Sequence, residues 1–223
     1  MKIAFLGDSL TWGGYGGDYV AEIARLLPQH EIVNAGVGGN TVINLHDRLD
    51  GVLHQNPDGI FVMVGGNDAI SYSQPGVRQY YEMAQSIPGG QVTPEVFSHT
   101  YRDLLTRFQR AQVLAWVGLE PSEYSAEMVA VLQSYNDRAR EVAQALGVPV
   151  LDLMSHFTPE HLPSRPPLTM EHIRIIGQRT RNGWMDYESE RSRNGYTFTF
   201  DGMHITPDCA RHMAELIVDF LAV

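Results

Sequence analysis

The stretch Gly59-Ile60-Phe61-Val62-Met63-Val64 decides the fold of this chain. It is an uninterrupted apolar run, and it ends at Gly65-Gly66. A strand in the centre of a parallel sheet has this pattern because helices cover both of its faces. The sequence therefore predicts a central parallel strand at residues 59–64, with a sheet built around it.

Further strands and helices alternate along the chain on both sides of this run. Apolar runs closed by turn residues predict strands, and apolar residues at helical spacing predict helices. The other predicted strands are residues 2–6, 31–35, 113–119 and 148–153, and the predicted helices are 19–27, 42–53, 94–111, 125–146 and 207–221. This alternation predicts the α/β class, with a doubly wound, mostly parallel sheet of five strands. A length of 223 residues fits a single domain that spans residues 1–223.

One segment, residues 155–199, interrupts the alternation. It is polar and rich in arginine, and it contains Pro163, Pro166 and Pro167. A structureless loop of this length is unusual in a compact domain, so we expect a partly helical insertion, with a helix around residues 170–176. Acidic residues lie between the arginines from Arg174 to Arg193, which indicates a solvated surface and not an anion site.

Composition limits the classes of partner and cofactor. The formal net charge is −10, and a surface that binds nucleic acid needs clustered Lys and Arg, so we expect no nucleic-acid partner. The single cysteine, Cys209, excludes an internal disulfide. No apolar stretch has the length of a signal peptide or a membrane span, so we expect a cytoplasmic protein. With no His-Glu-x-x-His motif and no cysteine cluster, we expect no metal site.

A nucleophile and a base stand near opposite ends of the chain. Ser9 follows the first predicted strand directly, where open α/β sheets bind their ligands. Asp201-Gly202-Met203-His204 precedes the last predicted helix. A serine becomes nucleophilic when a base takes its proton and a third group orients that base. We expect His204 to be this base and Asp201 to be its orienting partner.

Two loops that follow predicted strands supply donors for an oxyanion. The loop at residues 36–40 is rich in glycine and presents backbone N–H groups without steric hindrance. The loop Gly65-Gly66-Asn67-Asp68 adds the side-chain amide of Asn67. Acyl transfer requires such donors because negative charge develops on the carbonyl oxygen.

In these segments the chain resembles the SGNH (GDSL-type) hydrolase family. The matching blocks, in chain order, are Gly7-Asp8-Ser9-Leu10, Gly39 within residues 34–41, Gly65-Gly66-Asn67-Asp68 and Asp201-x-x-His204. The resemblance implies a flavodoxin-like three-layer α/β/α sandwich. It also implies a triad of Ser9, Asp201 and His204, and an oxyanion hole formed by Ser9, Gly39 and Asn67. The insertion at residues 155–199 departs from the family pattern and leaves the substrate range open.

Each of these residues also has a simpler structural interpretation. Asp8 and Asp68 are expected to hold loop backbone by hydrogen bonds and not to take part in chemistry. Either glycine-rich loop on its own is typical of an ordinary turn. Trp12 and Tyr72 are candidates for the substrate pocket, although aromatic side chains are more often part of a core.

Together these features predict a serine hydrolase that cleaves small, short-acyl carboxylic esters through an acyl-enzyme intermediate, with no cofactor. A carbohydrate O-acetylesterase and an acyltransferase remain alternatives because they use the same machinery. A noncatalytic binding module is the alternative from another class, because fold does not fix function. The expected partner is a small-molecule or acetylated-sugar ester, and the sequence leaves open whether the chain forms a homo-oligomer.

Overall fold

The apolar stretch at residues 59–64 provides the middle strand of a five-stranded sheet, as the sequence predicts. A computed structural model describes residues 1–159 and 161–222 of the chain. The strands are β1 (Lys2–Gly7), β2 (Glu31–Gly36), β3 (Gly59–Met63), β4 (Leu114–Leu119) and β5 (Val150–Asp152). Their order is β2-β1-β3-β4-β5, and every neighbouring pair is parallel. The described sheet is therefore parallel throughout.

The described helices cover both faces of this sheet. They are α1 (Ser9–Trp12), α2 (Tyr19–Leu26), α3 (Val42–Leu53), α4 (Gly66–Ser73), α5 (Arg78–Ala84), α6 (Pro94–Arg110), α7 (Ala126–Ala145), α8 (Leu153–His156), α9 (Met170–Arg181), α10 (Tyr187–Asn194) and α11 (Pro207–Leu221). Two short 3₁₀ turns, Pro75–Val77 and Pro88–Gly90, precede and follow α5. The five long helices that the sequence predicts are all present, to within one residue at each end.

Alternation along β3 divides the core into two layers. Ile60 and Val62 point to one face, where α3, α6 and α7 pack, and Phe61 and Met63 point to the other, where α2 and α11 pack. All four side chains are completely buried. This explains the continuous apolar run, because a strand between two helical layers has no face in water. The result is the three-layer α/β/α sandwich that the family resemblance implies.

Three strands end at the same edge of the sheet and bring distant loops together. Gly7 at the end of β1 pairs with Gly36 of β2 on one side and with Met63 of β3 on the other. In this strand order, the connections reverse direction between β1 and β3, which is where open α/β sheets bind ligands. Ser9 and Asn67 follow these two strands directly.

The structure adds helices that the sequence pattern does not predict. The segment expected to be a loop at residues 65–68 begins α4, so Asn67 lies in the first turn of a helix. In the insertion, the helix expected around residues 170–176 extends to Arg181, and α10 follows it. Charged residues obscure the helical spacing in α9 and α10, and neither helix contains a fully buried residue.

Candidate active site

The predicted nucleophile and base are in hydrogen-bond contact. Ser9 is the first residue of α1, and its hydroxyl Oγ lies 3.1 Å from Nε2 of His204. The other ring nitrogen of His204, Nδ1, lies 2.8 Å from Oδ2 of Asp201. These contacts form a Ser–His–Asp chain, in which a carboxylate orients an imidazole and the imidazole faces a hydroxyl.

A tight turn places Asp201 beside His204. Oδ1 of Asp201 accepts hydrogen bonds from the backbone N–H of Met203 at 3.0 Å and of His204 at 2.8 Å. Its Oδ2 remains free to bind the imidazole. The spacing of three residues therefore allows one carboxylate to close the turn and to orient the base.

Glu123 anchors the segment that leads into this turn. It is completely buried, and its carboxylate accepts hydrogen bonds from the backbone N–H groups of Thr197, Phe198 and Thr199 and from the Thr199 hydroxyl. The bond lengths are 2.6–2.8 Å. This anchor fixes the backbone two residues before Asp201. Sequence reasoning missed it because Glu123 and its partners are 74 to 76 positions apart.

The electrostatics of the pair suit a general base. Burial lowers the pKa of His204, but the charge and hydrogen bond of Asp201 outweigh burial and raise it above its ordinary value. Burial raises the pKa of Asp201, but the positive charge and the donors of His204 outweigh it and lower that pKa. Asp201 thus favours its ionised form, and a carboxylate in this position stabilises the charged form of the imidazole.

The predicted oxyanion donors belong to Ser9, Gly39 and Asn67, and all three residues border the same cavity as His204. The backbone N–H groups of Ser9 and Gly39 make no hydrogen bond within the described part of the chain. Gly39 has a φ of +79°, and a Cβ at this position would collide with the hydroxyl of Tyr80, so the loop requires glycine. The amide N–H groups at positions 9 and 39 are therefore available to a substrate oxygen.

The side-chain amide of Asn67 is held at both ends. Its Nδ2 donates to Oδ2 of Asp8 at 2.7 Å, and its Oδ1 accepts from the hydroxyl of Tyr81 at 2.8 Å. An amide nitrogen has two N–H groups, so the bond to Asp8 leaves the second one for an oxyanion. Tyr81 is a further residue of the site that the sequence did not indicate.

Asp8 and Asp68 hold backbone, as the sequence predicts. Oδ1 of Asp8 accepts from Leu10 N at 3.0 Å and caps α1. Asp68 is completely buried, and both of its carboxylate oxygens lie within 3.2 Å of the backbone N of Val42 at the start of α3. Burial raises the pKa of Asp68 to about 8, so its neutral form is well populated at neutral pH.

A cavity of about 570 Å³ opens beside Ser9. Most of its lining is apolar, and part of that lining comes from the insertion through Leu168 and α9. The apolar side chains that line the cavity include Ile70, Met128, Leu132, Leu168, Ile173 and Ile176. Of the two aromatic pocket candidates, Trp12 borders the cavity and is 40% exposed. Tyr72 is not among the lining residues, because it lies about 200° around α4 from Ile70 and its ring is near Tyr135.

The insertion also completes an aromatic cluster behind the imidazole. The rings of Tyr15 and Phe200 flank that of His204, with centroids 5.0 Å and 6.1 Å away. Trp184 and Tyr187 pack against both of these rings. Arginines of α9 and α10 are paired with nearby glutamates: the Arg174–Glu171 pair is exposed, as the sequence predicts, whereas the Arg179–Glu190 pair is mostly buried.

None of the described helices is long and apolar enough to cross a bilayer. Within residues 1–159 and 161–222, no group of three or more His, Cys, Asp or Glu side chains is arranged to hold a metal ion.

The chain and its structure resemble known proteins. A model of the GDSL-like Lipase/Acylhydrolase family matches residues 5–172. The solved acetyl xylan esterase AlAXEase is 19% identical, with a TM-score of 0.67 and coverage of 98% of both chains. A lipase/acylhydrolase from Enterococcus faecalis is 20% identical, with a TM-score of 0.65 over 98% of this chain and 93% of that one. A variant of the acetyl xylan esterase Axe2 from Geobacillus stearothermophilus is 18% identical, with a TM-score of 0.66 over 99% and 94%. A comparison with curated protein sequences gave no match.

Proposed function

This chain belongs to the GDSL-like Lipase/Acylhydrolase family, and from that premise we propose that it hydrolyses carboxylic esters with Ser9 as nucleophile, His204 as base and Asp201 as orienting residue. The observation that carries the proposal is the unbroken contact from Asp201 through His204 to Ser9, with distances of 2.8 Å and 3.1 Å. Family membership supports acyl hydrolysis, and the geometry of the triad supports these three residues as the ones that perform it.

The proposed reaction has two halves. Ser9 Oγ attacks the acyl carbon while His204 Nε2 takes the hydroxyl proton, and the resulting oxyanion accepts N–H bonds from Ser9, Gly39 and Asn67. When the tetrahedral intermediate collapses, His204 gives the proton to the alcohol oxygen and the alcohol leaves. Water then attacks the acyl-enzyme, with His204 again as the base, and releases the acid and the free serine.

The size and the lining of the cavity favour a particular class of ester. Its volume of about 570 Å³ is far larger than an acetyl group needs, and its lining is mostly apolar. We therefore propose esters that place an apolar acyl or alcohol group in this cavity. A short-acyl ester with an aromatic alcohol, such as p-nitrophenyl acetate, meets this requirement. The preference for short acyl groups is the part of the proposal that a chain-length series tests.

A carbohydrate O-acetylesterase is the second candidate. Two of the structurally similar proteins are acetyl xylan esterases, and this activity needs no change in the proposed triad. The apolar cavity lining favours simple esters over acetylated glycans. Rates on acetylated xylo-oligosaccharides and on p-nitrophenyl esters, measured with the same preparation, separate the two. Acyl transfer to added alcohol that exceeds hydrolysis would instead indicate an acyltransferase.

The direct test uses Ser9→Ala and a matched control. Ser9→Ala abolishes turnover of p-nitrophenyl acetate and labelling by a fluorophosphonate probe, because both require an activated serine. Ser192→Ala, which changes an exposed serine of α10, leaves both unchanged. Retention of most activity in Ser9→Ala overturns the proposed nucleophile. A wild-type protein that neither hydrolyses esters nor reacts with the probe is instead a noncatalytic binding module.

A further inference from the structure

Two acidic side chains meet beside the oxyanion donors, and the reaction described above assigns neither of them a role. Asp8 is 2% exposed, and Glu120, the first residue after β4, is 1% exposed. Both residues border the same cavity, and each carboxyl group shifts the pKa of the other as a hydrogen-bond partner. Two carboxyl groups that are buried in direct contact do not both ionise, because their charges repel and neither is solvated. One of them therefore holds a proton.

The hydrogen-bond partners identify which carboxyl group is neutral. Asp8 accepts two N–H bonds, from Leu10 at 3.0 Å and from Asn67 at 2.7 Å. Oε2 of Glu120 accepts one, from the backbone of Gly66, whereas no N–H or O–H group of the described residues donates to its buried Oε1. A proton on Glu120 supplies the donor that the carboxyl pair otherwise lacks. The donor pattern thus favours an ionised Asp8 and a neutral Glu120.

The surrounding charges act in the same direction. Burial and the neighbouring Asp8 raise the pKa of Glu120 well above its usual range. The titratable groups that act on Glu120 are Asp8, Asp68, Tyr19, Tyr81 and Tyr101. Those that act on Asp8 also include Arg48, Tyr80 and His204. Burial raises the pKa of Asp8 as well, but its bonds from Leu10 and Asn67 and the charges of His204 and Arg48 oppose that rise and favour its ionised form over that of Glu120.

Asn67 connects this carboxyl pair to the reaction. The ionised Asp8 binds one N–H of the Asn67 amide, and Tyr81 binds its carbonyl oxygen. These two bonds fix the orientation of the amide, so its nitrogen and oxygen cannot change places. The remaining N–H therefore points in one fixed direction. We propose that Glu120 is a positioning residue that stays protonated, donates to Asp8, and thereby holds the Asn67 amide as an oxyanion donor. This inference rests on the proposed ester hydrolysis.

The glycine before Asn67 fits the same arrangement. A Cβ at Gly66 would lie 2.6 Å from Oε2 of Glu120, so a larger residue would displace the carboxyl group. The backbone carbonyl of Glu120 accepts 2.9 Å from Nδ2 of Asn136, a residue of α7, which fixes the other side of Glu120. Gly66 therefore confines the carboxyl group, and Asn136 fixes the backbone that carries it.

The test compares two substitutions of Glu120. Glu120→Gln keeps the shape of the side chain and is neutral, because an amide does not titrate. Its N–H can donate to Asp8 and its oxygen can accept from Gly66, so both bonds are kept. Glu120→Ala removes both bonds and is expected to lower kcat on p-nitrophenyl acetate about 10- to 100-fold, somewhat less than outright removal of an oxyanion donor. Glu120→Gln is expected to restore most of that loss, with KM changed less than about threefold in both variants. A Gln variant as impaired as the Ala variant, or an Ala variant with wild-type kcat, overturns the proposal.

The dependence of kcat on pH separates this proposal from a merely structural role of Glu120, which would not change it. As pH rises through the pKa of Glu120, the carboxyl group ionises, repels Asp8 and loses its hold on Asn67. Wild-type kcat is therefore expected to fall at alkaline pH, whereas Glu120→Gln shows no such fall because its amide does not titrate. The acid limb, set by His204, stays in both. An alkaline fall that is the same in both proteins contradicts the proposal.

A spectroscopic measurement separates this proposal from the proposed function. The infrared difference spectrum between wild type and Glu120→Gln at neutral pH is expected to contain the C=O stretch of a protonated carboxyl group. The absence of this band overturns a neutral Glu120 whether or not the protein hydrolyses esters. If the band is present and Ser9→Ala retains full ester turnover, the proposed function fails and the carboxyl pair stands. Urea denaturation of both variants shows whether either has lost its fold.

Discussion

Nε2 of His204 lies 3.1 Å from Oγ of Ser9, although the two residues are 195 positions apart in the chain. The contact is made by the tertiary fold, because Leu10 beside the serine and Ile205 beside the histidine belong to one buried cluster under α2 and α11. Ser9 has no base beside it until this cluster brings His204 into contact. Reactivity at Ser9 therefore depends on correct packing of the layer formed by α2 and α11.

The pKa of His204 predicts the acid limb of the pH profile. Asp201 raises that pKa above the ordinary value of about 6.5, despite the opposite effect of burial. Hydrolysis needs the neutral imidazole, so activity is present above this pKa and is lost as pH falls through it. We expect kcat/KM on p-nitrophenyl acetate to decline on the acid side with a midpoint above 6.5. A midpoint below 6.5 contradicts the assigned environment of His204.

Removing the charge of Asp201 is expected to have two effects. Asp201→Asn lowers kcat by about 10⁴-fold, because the imidazole loses both its orientation and the stabilisation of its charged form. It also moves the pH midpoint of fluorophosphonate labelling to lower values, because the largest influence that raises the pKa of His204 is gone. Labelling rates across pH measure the second effect even where turnover is slow. An unchanged midpoint would show that Asp201 does not act on His204.

Glu123 is expected to contribute to stability more than to chemistry. Glu123→Ala removes the acceptor of the buried backbone N–H groups of Phe198 and Thr199 and of the Thr199 hydroxyl, and is expected to lower the free energy of unfolding by about 3 kcal/mol. Urea denaturation measures this change. Glu141→Ala, at an exposed position near the C-terminal end of α7, serves as the matched control and stays within about 0.5 kcal/mol of wild type. A loss as small as that of the control contradicts the anchoring role of Glu123.

The sequence predicts the sheet and most of the candidate site because both depend on local pattern. Apolar runs mark the strands, and a parallel sheet brings the ends of β1, β2 and β3 to one edge. Ser9, Gly39 and Asn67 follow from these strand ends together with the family resemblance. All of them line one cavity in the structure.

The residues that the sequence misses act through distant partners. Glu123 binds a segment 74 to 76 positions away, and Tyr81 binds Asn67 from a helix that no apolar pattern predicted. Glu120, like Ser9, lies just after a strand at this edge of the sheet, since it follows β4. The same pattern therefore marks it as a candidate site residue. An acidic residue directly after a buried strand is the signal that was available. The proposed role of Glu120 depends on the carboxyl group of Asp8, and only the tertiary structure places the two side by side.

The amide of Asn67 is expected to act mainly in the transition state. Asn67→Ala removes one oxyanion donor and is expected to lower kcat about 10²- to 10³-fold, with little change in KM, because the donor binds the charge that develops during attack. Steady-state kinetics on p-nitrophenyl acetate separate kcat from KM. Asn182→Ala, at an exposed position after α9, is the control and keeps wild-type values. A change confined to KM would assign Asn67 to ground-state binding.

The cavity predicts how activity depends on the size of the ester. Ile173 lies on α9 with its side chain bordering the large cavity, whereas Ile175, on the same helix, borders a smaller neighbouring pocket instead. Ile173→Trp reduces the space in this cavity, so hydrolysis of p-nitrophenyl octanoate is expected to fall about 10- to 100-fold relative to the acetate, the cost of excluding a few methylene groups. Ile175→Trp makes the same substitution outside the large cavity and is expected to leave that ratio within about threefold. Equal ratios in the two variants would show that the acyl chain does not enter this cavity, and would leave the alcohol as the group that it holds.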